Sequence, residues 1–223
     1  RSILDVFREE YEGVELRSAA PRRQERLLSA VDRTGADRLV VLGDLGHANG
    51  SPFDDERAEL AALFDALDVP TTLVKGNHDG DLETVLGDLD GDVTVTSGRG
   101  TTVGDVGFAH GHTWPGPGVL EASVVCVAHE HPVVRLEDAV GGTRKERVWL
   151  RGPLESEPFT EYFDEPPSVT GDIVLFPAFN DRSGGTWVNV AGQSFLSPFL
   201  PEALGAAEAF LLDGTRLGPY REV

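Results

Sequence analysis

All six histidines of this chain fall in four short turns. His47 closes Gly43-Asp44-Leu45-Gly46-His47, and His78 sits in Lys75-Gly76-Asn77-His78-Asp79. His110 and His112 flank Gly111, and His129 and His131 flank Glu130. Taken singly, each reads as a capped turn or a satisfied surface imidazole. Six unrelated histidines would scatter along the chain, whereas a shared metal site explains their clustering. With Asp44, Asn77 and Asp79 they form a set of imidazole, carboxylate and amide donors suited to Mn, Fe, Zn, Co or Ni. The single cysteine, Cys126, lies in an apolar run. It is expected in the core rather than as a nucleophile, and a thiolate zinc finger is excluded.

The elements that must carry these turns are legible around them. Apolar runs at Arg38–Leu42, Thr71–Val74, Val106–Ala109 and Ser123–Val127 each end on one of the four turns. The first is almost wholly apolar and predicts a strand buried on both faces. In open α/β sheets ligands bind just beyond the carboxyl ends of strands, so four such ends point at one shared site. Gly43, Gly76 and Gly111 sit beside candidate ligands, where close approach favours glycine. Helices are predicted at Ser2–Tyr11, Pro21–Arg33, Asp54–Leu67 and, short, at Asp81–Leu86. From residue 92 the pattern turns strand-rich. Val93–Thr96, Thr101–Val103 and Val106–Ala109 suggest antiparallel meanders. Further strands are predicted at Arg147–Leu150, Ile173–Phe176, Thr186–Val190 and Ala209–Leu212. Pro153–Pro167 is Pro- and Glu-rich and reads as a loop. The pattern predicts two packed sheets flanked by helices in one domain spanning 1–223.

Composition limits the setting. The 223 residues carry a formal net charge of −19, with Lys75 and Lys145 the only lysines. Such an acidic, lysine-poor chain resembles proteins of halophilic archaea; the plainer reading is an acidic cytosolic protein. In low salt this charge repels nucleic acid, and molar salt screens it within a few ångströms. No apolar run approaches the ~18 residues of a membrane span. The N-terminus lacks a signal-peptide core. One cysteine fits a reducing interior, and a cytoplasmic protein is expected.

The order Gly43-Asp44, Gly76-Asn77-His78-Asp79, His110, His129-Glu130-His131 resembles the calcineurin-like metallophosphoesterase superfamily. More narrowly, Gly-Asp-x-x-His, His-Gly-His-x-Trp-Pro and His-Glu-His-Pro resemble an archaeal and bacterial subfamily, some members of which accompany DNA-repair genes. Pro177-Ala178-Phe179-Asn180, Gly184-Gly185-Thr186 and Leu196-Ser197-Pro198 extend that likeness through the C-terminal part. The resemblance implies an α/β fold, an αββα sandwich of two mixed sheets flanked by helices. It implies two divalent ions, Mn²⁺ first among them, about 3.5–4 Å apart, with a metal-held hydroxide attacking phosphorus in line.

The resemblance also implies roles. Asp44 would bridge both ions; Asn77, His110 and His129 would complete one, and His131 would serve the other. His78 would donate a proton or hydrogen bond to the phosphate or leaving group, with Asp79 orienting its ring. His47 and His112 would stand behind the ligands or face the phosphate; either could equally be a plain turn residue. The family's first motif, Asp-x-His, is not in the chain: Asp5-Val6-Phe7 has the aspartate but not the histidine. With no methionine anywhere, the expectation is that this strand and motif lie upstream of Arg1; the alternative is a true loss.

The implied substrate is a phosphate ester, most of all a phosphodiester, with DNA or RNA among the candidates. Arg144-Lys145-Glu146-Arg147 and the Arg22, Arg23, Arg26 group read either as phosphate contacts or as solvated charge. Trp114-Pro115 and Phe179 read as pocket wall or core. The competing functional class is a non-catalytic partner subunit that keeps the fold and one metal.

Overall fold

The computed structural model describes residues 20–46, 54–88 and 91–223. The helix expected at Ser2–Tyr11 and His47 lie outside the described residues. The chain is α/β, with two sheets and short flanking helices in two compact units, Arg1–Thr96 and Ser97–Val223.

The first unit runs α1 (Ala20–Thr34), β1 (Leu39–Val41), α2 (Asp54–Asp65), β2 (Thr71–Val74), α3 (Leu82–Gly87) and β3 (Val93–Thr96). Helix α1 ends where Gly35 adopts φ +60°, and the Ala36 N–H reaches back to the Val31 carbonyl. A left-handed glycine stops a helix in this way. Asp54, Asp55 and Glu56 open α2, where acidic side chains complement the helix dipole. The three strands are parallel, in the order β1-β2-β3, with Leu39 opposite Thr71 and Thr71 opposite Val93. The core packs Leu60 and Phe64 of α2 and Leu82, Val85 and Leu86 of α3 against Leu73.

Two expectations change here. Val93–Thr96 is the third parallel strand, not part of a meander, because α3 supplies the crossover that a parallel partner needs. Strand β1 is half-buried, since among the described residues it is the edge of this sheet while β2 is central.

The second unit contains β4 (Thr101–Val103), β5 (Val106–Ala109), α4 (Pro117–Leu120), β6 (Val124–Val127), β7 (Val133–Glu137), β8 (Thr143–Pro153), α5 (Glu157–Tyr162), β9 (Asp172–Leu175), β10 (Glu208–Leu211) and β11 (Arg216–Pro219). The sheet order is β11-β10-β8-β9-β6-β5-β4, with β7 paired to β8. Strands β5, β6 and β9 are parallel at its centre; the rest run antiparallel. Val125, Val127, Leu150, Ile173 and Leu175 form the core with Phe159 and Phe199. Cys126 is buried in β6, and burial pushes its thiol up to about 11, in keeping with a core role.

Two expectations change in this unit. Thr186–Val190 is not a strand; only Trp187 makes a single bridge, to Val133. The Pro153–Pro167 stretch holds α5, because Phe159 buries itself against Trp114 and Phe199. Trp114 therefore packs on the core, with its ring stacked on Tyr162. Strands β7 and β11 were not anticipated.

Candidate metal centre

The fold sets the predicted ligands at strand ends in pairs. In the first unit β1 and β2 are adjacent and parallel, so the loops that follow them leave the sheet side by side. In the second unit β5 and β6 stand in the same relation, with Ala109 opposite Val127.

In the first unit, Gly43 has φ +82° and Asp44 φ +52°. Left-handed backbone is ordinary for glycine and costs a non-glycine residue on the order of 1 kcal/mol or more. What sustains it is Asp79, 1% exposed. One Asp79 oxygen accepts the Asp44 N–H at 2.8 Å and the Gly76 N–H at 2.7 Å. The other accepts the Gly46 N–H at 2.9 Å. The Asp44 carboxylate accepts the His78 N–H at 3.0 Å. A Cβ at Gly76 would overlap the Asp44 carboxylate, so this contact requires glycine. Lys75 spans the turn, its Nζ on the Gly80 carbonyl at 3.0 Å. Asn77 and His78 are exposed at its crest. The sequence reading has Asp79 orienting the His78 ring; in the structure its oxygens receive backbone amides and hold the Asp44 loop.

In the second unit, His110 is fully buried and its Nε2 lies 3.1 Å from Nδ1 of His129. The His112 ring centroid stands 5.3 Å from that of His110 and 6.1 Å from that of His129. The Ala128 N–H donates to the His110 carbonyl at 3.0 Å, tying the two turns together. His129 has φ +38° and His131 φ +47°. His131 is half-buried, two residues beyond His129. Between them Glu130 is fully buried, and its carboxylate accepts the N–H groups of Leu196 and Ser197 and the hydroxyl of Thr186.

Three non-glycine residues among those described have positive φ: Asp44, His129 and His131. Each is a metal ligand by the sequence reading. Backbone strain concentrates at sites whose surroundings over-determine it, and functional sites are where it collects. The donor chemistry fits a divalent ion. Metal–nitrogen bonds of about 2.1 Å, meeting at octahedral to tetrahedral angles, put two ligand nitrogens about 3.0–3.4 Å apart. The His110–His129 separation of 3.1 Å falls in that range.

Neither a protein-family model nor a curated protein matches the sequence. Among solved structures, the nuclease MPE of Pseudomonas putida is similar, with a TM-score of 0.57, at 18% sequence identity, over 89% of this chain and 78% of that one. At that identity the likeness is one of fold: this chain shares the fold of that nuclease.

Proposed function

We propose that this chain is a metal-dependent phosphoesterase that hydrolyses phosphodiesters, nucleic acid among them. The observation that carries the reading is its donor set. His110 Nε2 and His129 Nδ1 lie 3.1 Å apart just beyond the adjacent parallel strands β5 and β6, and Asp44 follows β1 in left-handed backbone. A carboxylate with two imidazoles suits a divalent transition ion. The similar nuclease supports nucleic acid as the substrate class.

Asp44, Asn77, His110, His129 and His131 hold the metal, two ions in the full reading and Mn²⁺ first among the candidates. When bound, such ions polarise a phosphoryl oxygen and make water acidic enough to serve as a nucleophile near neutral pH. The chain's own residues set the geometry around them. Asp79 fixes the loop that presents Asp44. His78 has its backbone N–H on the Asp44 carboxylate and its side chain exposed. It is thus free to donate a proton or hydrogen bond to the phosphate or the leaving oxygen, a contribution of about 10²–10⁴-fold. His112 stands against the rings of His110 and His129 and steadies them. Among the described residues no helix is long and apolar enough to cross a membrane.

The test is hydrolysis of bis(p-nitrophenyl) phosphate and of DNA with added Mn²⁺, by wild type, Asp44→Ala and His78→Ala. Asp44→Ala should lose more than about 100-fold, beyond the loss typical of a group behind the ligands. Equal rates for wild type and Asp44→Ala would refute the catalytic reading and favour a non-catalytic subunit.

A further inference from the structure

Glu130 carries a charge-bearing side chain into the interior, where an unpaired carboxylate costs several kcal/mol. Its exposure is 0%. Oε1 accepts the Leu196 N–H at 2.8 Å and the Ser197 N–H at 2.6 Å, and Oε2 accepts the Thr186 hydroxyl at 2.7 Å. Its backbone is held as well: the Glu130 carbonyl accepts the Thr186 N–H at 2.9 Å. The donors come from 56 to 67 residues away in sequence, from a segment with no histidine.

That segment braces both histidine turns. A Cβ at Gly185 would overlap the His131 carbonyl, so residues 185–186 close directly on His131. The buried Ser197 hydroxyl has no hydrogen-bond partner among the described residues and stands 3.1 Å from the position a Gly111 Cβ would take, between His110 and His112. On either side of Glu130 stand two left-handed histidines, a conformation that persists only where surroundings enforce it.

We propose that Glu130 is the positioning residue of the histidine turn. By reaching the Leu196 and Ser197 amides it locks His129 and His131 in left-handed backbone, so that their imidazoles are aimed before a metal arrives. The proposal rests on the metal-site reading above. It assigns the effect to reach and hydrogen bonding, not to charge.

Three variants separate these. Glu130→Gln keeps the reach and an oxygen for both amides, while its NH₂ can donate to the Thr186 oxygen. Glu130→Asp keeps the charge but withdraws it by one methylene. Glu130→Ala removes both. Mn²⁺ affinity is measured by calorimetry, with circular dichroism confirming the fold at the same temperature. Glu130→Gln should bind Mn²⁺ within about threefold of wild type. Glu130→Asp and Glu130→Ala should bind about 10- to 100-fold more weakly, the loss typical when an outer partner of a metal ligand is removed. Wild-type affinity in folded Glu130→Asp overturns the proposal, as does weak binding by Glu130→Gln alone. If Glu130→Ala does not fold, the Gln and Asp variants decide. Failure of the wild type itself to bind Mn²⁺ overturns the metal-site reading, a result distinct from equal binding by all chains.

Discussion

Asp79 offers the clearest separation between a group that orients a catalytic ring and one that holds the site together. Its two oxygens accept three amides, from Asp44, Gly46 and Gly76, at 2.7–2.9 Å. Hydrogen bonds to a charged group contribute about 1.5–3 kcal/mol each, and orphaning a buried donor costs about 1–3 kcal/mol. Gly46 and Gly76 are buried, while Asp44 is half-buried and partly within reach of water. Asp79→Ala orphans all three and should destabilise by about 3–5 kcal/mol. Asp79→Asn keeps one oxygen for the Asp44 and Gly76 amides but turns an NH₂ toward the Gly46 N–H. It should cost about 2 kcal/mol. For a chain of this length each kcal/mol lowers Tm by about 2–4 °C, so Asp79→Asn should unfold roughly 4–8 °C below wild type. Differential scanning calorimetry without added metal measures this. A variant that melts within about 1 °C of wild type while losing turnover would refute the argument. It would return Asp79 to the role of orienting His78.

Further outcomes follow from the same geometry. Gly76→Ala pushes a methyl into the Asp44 carboxylate and should weaken Mn²⁺ binding at least about tenfold, read by calorimetry; unchanged binding would show the loop yields freely. The Cys126 thiol, raised to about 11, stabilises the fold fully below its unfolded value near 9. That contribution is lost as pH rises through about 11, so urea-unfolding midpoints should fall across this window in wild type and less in Cys126→Ala. Iodoacetamide at pH 8 should label Cys126 only after unfolding; rapid labelling of the native chain would contradict its core placement. With a net charge of −19, self-repulsion should ease as the Debye length shrinks from about 10 Å to 3 Å between 0.1 and 1 M salt. Tm should therefore rise with KCl, and a flat or falling Tm would count against the halophilic reading.

The strands that carry the candidate donors could be read from the chain because each donor turn closes a plain apolar run, and strand ends are where an α/β sheet presents its ligands. The four runs became β1, β2, β5 and β6 within a residue or two. Pairing was less legible. Val93–Thr96 looks the same whether its partner is parallel or antiparallel, and only the α3 crossover decides. The Thr186–Val190 run has the alternation of a strand, yet residues 185 and 186 are occupied in bracing His131 and Glu130. Helix α5 was hidden by the prolines and glutamates of the 153–167 stretch, which say nothing of Phe159 in the core.

The two buried acids mark the other limit. A glutamate between two histidines does not announce partners at positions 186, 196 and 197. An aspartate after a histidine suggests a pair with that ring, while its actual partners include an amide 35 residues away. Residue type marks the donor turns; only the folded chain shows what holds each of them.

One measurement bears most directly on whether these donors serve a metal. Crystals grown with Mn²⁺ and measured at the manganese absorption edge should give an anomalous peak within bonding distance of His110 Nε2, His129 Nδ1 and an Asp44 carboxylate oxygen. Manganese bound elsewhere, with those three side chains bonded only to protein or water, would contradict the account.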